Sequence, residues 1–133
     1  MADRIDLQMA QRSFEAIGRH IGSSFAGELR SRARSLPSML RTSGVAVTLS
    51  FLEAKAKGRE GDGVLLQAVH SELARFVPAG GKSVVAFLQT CATHDAATTA
   101  RVTHIAVLAA DHLKRAAEVL LPKPEDSEPQ AEA

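Results

Sequence analysis

Four arginines, Arg12, Arg19, Arg30 and Arg34, are the first residues whose spacing points to chemistry. On one continuous helix they project within about 60° of each other, opposite an apolar face. A row of guanidinium groups suits the backbone of a nucleic acid, bound through its phosphates without reading bases. The plain alternative is a solvated helix face. Arg41, Lys55, Lys114 and Arg115 are further candidates for phosphate contact. Lys55 closes a helix, where a lysine also snorkels to water and meets the negative end of the dipole. Lys114 and Arg115 share the polar side of their helix with Asp111 and Glu118, which can neutralise them locally.

Other reactive types lead nowhere comparable. His94 and Asp95 form a dipeptide seen in one class of metal-dependent phosphohydrolases, and His104 shares a helix face with Asp111. A catalytic metal needs three or more ligands, and no other His, Cys or carboxylate has a helical spacing that completes either set. Asp95 reads instead as a helix cap. Cys91 lies on the apolar stripe Val84, Phe87, Leu88, Cys91 and reads as a buried structural thiol. No phosphate-binding or dinucleotide-binding glycine motif occurs, and the glycine run GREGDG has no strand before it. The expectation is a non-enzyme without metal, cofactor or small-molecule substrate.

These residues must be positioned by helices. Apolar periodicity is helical nearly throughout the 133 residues, which predicts an all-α, single-domain bundle of about six helices over 1–121. A long first helix is expected from Asp3 to Ala33, with Ala10, Phe14, Ile17, Ile21, Phe25 and Leu29 inward. A short second helix starts at Pro37 and ends at a hinge near Gly44. The third runs to Lys57, the fourth from an Asp62 cap to Val77, and the fifth from a Ser83 cap to Thr93. The sixth runs from the Asp95 cap to Leu121, with Val102, Ala106, Ala109, Leu113, Ala116 and Leu120 inward. The third helix is apolar on two sides: Val45, Leu49, Leu52 and Ala56 on one, Val47, Phe51 and Ala54 on the other. It belongs inside a bundle or against a second protein, making Val47 and Phe51 candidate subunit-interface residues.

The net charge of +1 conceals a division. Residues 122–133 carry Lys123 against Glu125, Asp126, Glu128 and Glu132, with three prolines, and are expected to be a disordered acidic tail. The remainder holds 15 basic and 11 acidic side chains, a surplus of +4. Aromatics are 4% of the chain, all Phe, which argues against base-stacking platforms. One cysteine, no visible secretory signal and no apolar run of the roughly 18–20 residues that span a bilayer point to a cytoplasmic, non-membrane protein.

The run LPSMLRTSGVAVTLSFLEAK, residues 36–55, resembles the hallmark of the small helical subunit of the Cmr effector complex in type III-B CRISPR systems. Pro37, Met39, Gly44, Thr48, Leu49, Phe51, Leu52 and Lys55 stand where that hallmark wants them. HLKRAA, residues 112–117, is similar to the closing-helix run of the same family. The chain departs in having Ser43 where the family has Asn, Val45 where it has Leu, and His112 where it has Trp. The resemblance implies a non-catalytic subunit that stacks in a few copies along the backbone subunit, near the large subunit, and lines the path of guide RNA and target RNA. The competing class is a stand-alone helical protein–protein interaction adaptor whose basic face only keeps it soluble.

Overall fold

The computed structural model describes the backbone of residues 2–123 and the side chains of residues 5–123. The expected tail lies, from residue 124 onward, outside the described residues. Among the described residues six α-helices make up the fold: α1 (Ala2–Gly18), α2 (Ala26–Ser43), α3 (Val45–Lys55), α4 (Glu60–Phe76), α5 (Val84–Thr90) and α6 (Ala96–Leu120). Short 3-10 turns at Pro78–Gly80 and Cys91–Thr93 extend the ends of α4 and α5.

The break between the first helices is not where the proline predicts it. The expected helix 3–33 is two helices separated by turns over residues 19–25. Glycines 18 and 22 lower helix propensity there, and Ser23 competes with helical pairing by donating its hydroxyl to the His20 carbonyl at 2.9 Å. Pro37, conversely, lies inside α2, so the expected short second helix does not exist. An interior proline costs about 3 kcal/mol. It is tolerated here because Leu29, Ala33, Leu36 and Leu40 form one buried stripe on both sides of it. The phase of α1 also differs from expectation. Met9, Ser13 and Ile17 point inward, while Phe14 and Ile21 are 37% and 47% exposed.

The hinge at Gly44 is real and has a conformational cause. Its φ of +87° is in the left-handed region that favours glycine. The buried Thr48 hydroxyl then donates to the Met39 carbonyl at 3.1 Å, tying α3 back to the last turns of α2. Val45, Leu49 and Leu52 are buried as expected, Phe51 is half-buried against the core, and Val47 is 61% exposed.

Helix α4 starts at Glu60, earlier than the predicted Asp62 cap, and Asp62 is buried in its first turn. The glycine run GREGDG is therefore partly helix. Gly61 lets α2 cross α4 closely, since a Cβ there would stand 3.2 Å from the Leu29 backbone and push the two helices apart by a few tenths of an ångström. Helix α6 is the spine, packed against α1, α2 and α4. Its buried residues are Val102, Ala106, Ala109, Ala110, Leu113, Ala116 and Ala117. Among the described residues no helix is long and apolar enough to cross a membrane.

Two caps are as the sequence predicts: Ser83 accepts from the Ala86 N–H at 3.1 Å and Asp95 from the Thr98 N–H at 2.8 Å. The Thr98 backbone bond, helped by the Thr98 hydroxyl, holds the Asp95 carboxyl below its ordinary range. A group with a depressed folded-state pKa stabilises above its ordinary value, and that contribution is lost as pH falls through the lower folded value. Asp95→Ala is therefore expected to melt below wild type at pH 7. The gap should narrow on acidification below the aspartate range, as thermal melts across pH would show.

Candidate nucleic-acid interface

Helices α2 and α6 meet along a seam of ion pairs. The Arg34 Nε donates to Glu118 at 3.0 Å, and the Arg41 Nη2 donates to Asp111 at 3.2 Å. From one pair to the other α2 advances seven residues while α6 retreats seven, so the helices are antiparallel here. Arg30, Arg34 and Arg41 fall within about 40° on α2, and Lys114 and Arg115 fall within about 60° of Asp111 on α6. Five of the eight predicted basic residues thus belong to one seam, although the sequence distributes them over 86 positions. Five cations against Asp111 and Glu118 leave it at +3. The Arg34 and Arg41 side chains are 55% and 56% exposed, so their pairs add little stability and their guanidinium groups remain available to another anion. Arg115 is exposed and Lys114 half-buried.

The predicted single stripe of Arg12, Arg19, Arg30 and Arg34 does not exist, because the helix carrying it is broken at 19–25. Arg12 instead forms a bidentate pair with Glu72, both bonds 2.8 Å, and its guanidinium lies 5.7 Å from the Phe76 ring centroid. The Glu72 hydrogen bond holds the guanidinium's pKa above its ordinary value. Glu72 is buried, so this pair fastens α1 to α4. Arg19 is exposed in the 19–25 turns, on a cleft of about 880 Å³ between α1 and α4. Glu15, Glu53, Glu60 and Glu72 face that cleft together with Arg12, Arg19 and Arg75, so it is not a positive channel.

Lys55 stands apart from the seam, its Nζ 5.6 Å from the Phe51 ring centroid. Arg32, absent from the predicted set, lies 4.8 Å from the same ring and donates to Asp62 at 2.8 Å. Arg59 shares a small cleft with them. Arg32 and Asp62 are thirty residues apart and meet only through the α2–α4 crossing, so no local spacing reveals them. His94 is half-buried with its ring centroid 5.7 Å from that of Phe87. Cys91 is half-buried and donates to the Leu88 carbonyl. Among the described residues no three His, Cys, Asp or Glu side chains are grouped to hold a metal. His112, at the expected tryptophan position, meets Asp6 at 2.7 Å and links α6 to α1.

Residues 5–120 match the family model described as CRISPR-associated protein (Cas_Cmr5). The chain belongs to the Cmr5 family. It is accordingly a CRISPR-associated, type III-B Cmr subunit, which implies a complex with other Cmr subunits. The fold is similar to the X-ray crystal structure of a CRISPR-associated Cmr5 family protein from Thermus thermophilus. The TM-score is 0.72 at 21% identity, covering 88% of this chain and 97% of that one. No curated protein matches the chain. Within this Cmr5-family fold the hallmark run 36–55 is the end of α2, the Gly44 hinge and α3.

The geometry separates arginines that hold the fold from those that face outward. Arg12→Ala removes both hydrogen bonds to the buried Glu72 carboxylate, leaving it only the longer 3.9 Å pair with Arg75, and is expected to cost on the order of 2 kcal/mol in urea unfolding. Arg115→Ala should change stability by less than about 0.5 kcal/mol.

Proposed function

We propose that this chain is a non-catalytic scaffold subunit that stacks in a few copies along the backbone subunit of a cytoplasmic Cmr ribonucleoprotein. In this reading it lines the path of guide and target RNA and grips phosphates with the α2/α6 seam. The supporting observation is the charge surplus of that seam: two packed helices hold Arg34, Arg41, Lys114 and Arg115 in fixed register against Asp111 and Glu118, a net of +2 without the buried Arg30. Phosphate contacts position an RNA without reading it, which suits a subunit that must accept any guide and target. The exposed Val47 and half-buried Phe51 offer apolar surface to a neighbouring subunit.

Few phosphate contacts per copy predict weak, salt-sensitive binding of single-stranded RNA by the free protein and tight binding only in the stack. Charge reversal of Arg41, Lys114 and Arg115 together is expected to reduce target-RNA capture by the assembled complex about tenfold or more and to flatten its salt dependence. The fold should be unchanged by circular dichroism. Unchanged capture by a complex that still contains the variant would reduce the seam to a solvated face. Failure to co-purify with any Cmr backbone subunit and guide RNA would favour the stand-alone adaptor.

A further inference from the structure

The N-terminal half of α6 carries charge of one sign. From Ala96 to Ala110 it holds Arg101 and His104, both exposed, and no carboxylate. The helix is unbroken over Ala96–Leu120, so a projection down its axis has geometric meaning. Arg101, His104 and Arg115 fall within about 60° of one another, and His104 within about 20° of Asp111, which holds Arg41. The outward strip that carries the seam therefore continues past Arg41, in the last turn of α2, toward the start of α6. Arg101 and Arg115 are fourteen positions apart on it, roughly 21 Å along the axis.

Arg101 differs from the seam arginines in having no carboxylate. Arg34 and Arg41 are paired with Glu118 and Asp111, and Arg12 and Arg32 with Glu72 and Asp62. Among the described residues Arg101 forms no ion pair; its Nη2 donates instead to the Phe76 carbonyl at 3.1 Å, at the C-terminal end of α4. That end carries the negative half of the helix dipole, which holds the guanidinium without cancelling its full charge. One N–H is spent on the carbonyl, and the rest of the donor fork is left to an external acceptor. Anchoring also removes in advance part of the side-chain freedom that an arginine loses on gripping a ligand.

We propose that the phosphate track does not end at the seam but runs on along α6, past His104 to Arg101, so that one RNA strand lies parallel to the α6 axis with Arg101 as its far anchor. The inference rests on the reading of the seam as a phosphate surface, and adds to it a direction and an end point. Arg34 and Arg41 must release a carboxylate to take a phosphate. Arg101 takes one without that exchange, so the unpaired end of the track is its stronger single contact.

The test is salt-dependent binding of a single-stranded oligouridylate to the full chain. Each phosphate-bound cation contributes about 0.7 to the slope of log K against log salt on a single strand, so Arg101→Gln should lower the slope by about 0.7 and the affinity several-fold at low salt. Arg75→Gln is the control: Arg75 precedes Phe76, is 51% exposed and faces the α1/α4 cleft among carboxylates, and its loss should leave the slope unchanged. Arg101→Gln also removes a bond to Phe76, so Ala97→Lys gives a reading independent of that bond. Ala97 is exposed and within about 20° of His104 on α6, and a lysine there should raise the slope by about 0.7, whereas Gln89→Lys, exposed on α5, should not. If neutralising Arg41, Lys114 and Arg115 lowers the slope but Arg101→Gln does not, or if both lysines raise it equally, the seam keeps its role and the track is overturned. An oligoglutamate of equal charge that binds as tightly, with the same dependence on Arg101, reassigns the track to an acidic protein segment and overturns the RNA strand. Absence of binding by the wild-type chain at low salt defeats the RNA reading itself, and the track with it.

Discussion

Close approach of helices to the alanine-rich face of α6 is the constraint from which the other features follow. Ala106, Ala109, Ala110, Ala116 and Ala117 are buried and present little more than backbone, so α1, α2 and α4 can surround one helix. Interiors are close-packed, and a larger side chain at any of these positions would push one of the three neighbours away. The seam inherits its register from this packing: the α2–α6 ion pairs form because Leu36 and Leu40 are already locked into the core beneath them. The same packing explains why Pro37 does not end α2, since breaking the helix would remove Leu40 from its place.

Much of the architecture is legible in the sequence because it is written in local periodicity. The all-α class, the number of helices, the Ser83 and Asp95 caps, the inward face of α6 and the Gly44 hinge all depend on residues within a few positions of one another. The break at 19–25 and the continuity through Pro37 are not legible, because each is decided by tertiary packing against a propensity signal. That single exchange of break points misplaces the arginine stripe. A helical projection across a helix end carries no geometric meaning, so it groups Arg12 and Arg19 with Arg30 and Arg34 although they point elsewhere. The seam is invisible for the complementary reason: Arg41 and Asp111 are seventy residues apart, and only the antiparallel pairing of α2 and α6 brings them together.

Arginine therefore plays three parts in one small bundle. Arg12 and Arg32 are partly buried against carboxylates and Phe rings and join α1 and α2 to α4. Arg34 and Arg41 lie at the surface in pairs that are readily exchanged. Arg30 is buried without a protein acceptor for its Nε among the described residues. Counting positive charges along the sequence treats these alike, whereas burial and pairing separate them. Lysine shows the same divergence on α3, since Lys55 is held over Phe51 and is not simply a free helix end.

On the proposed reading of the seam as a phosphate-binding surface, the pairing of Arg34 with Glu118 and Arg41 with Asp111 would also make it a filter on valence. A lone phosphate or mononucleotide arriving there must displace a carboxylate tethered to the adjacent helix, a rival whose effective concentration far exceeds that of a dilute small anion. It gains one contact by breaking another. A polymer differs, because once one of its charges has displaced a carboxylate the next is delivered beside the following guanidinium without a second encounter. On that reading the ion pairs would disfavour single small anions relative to a chain of them.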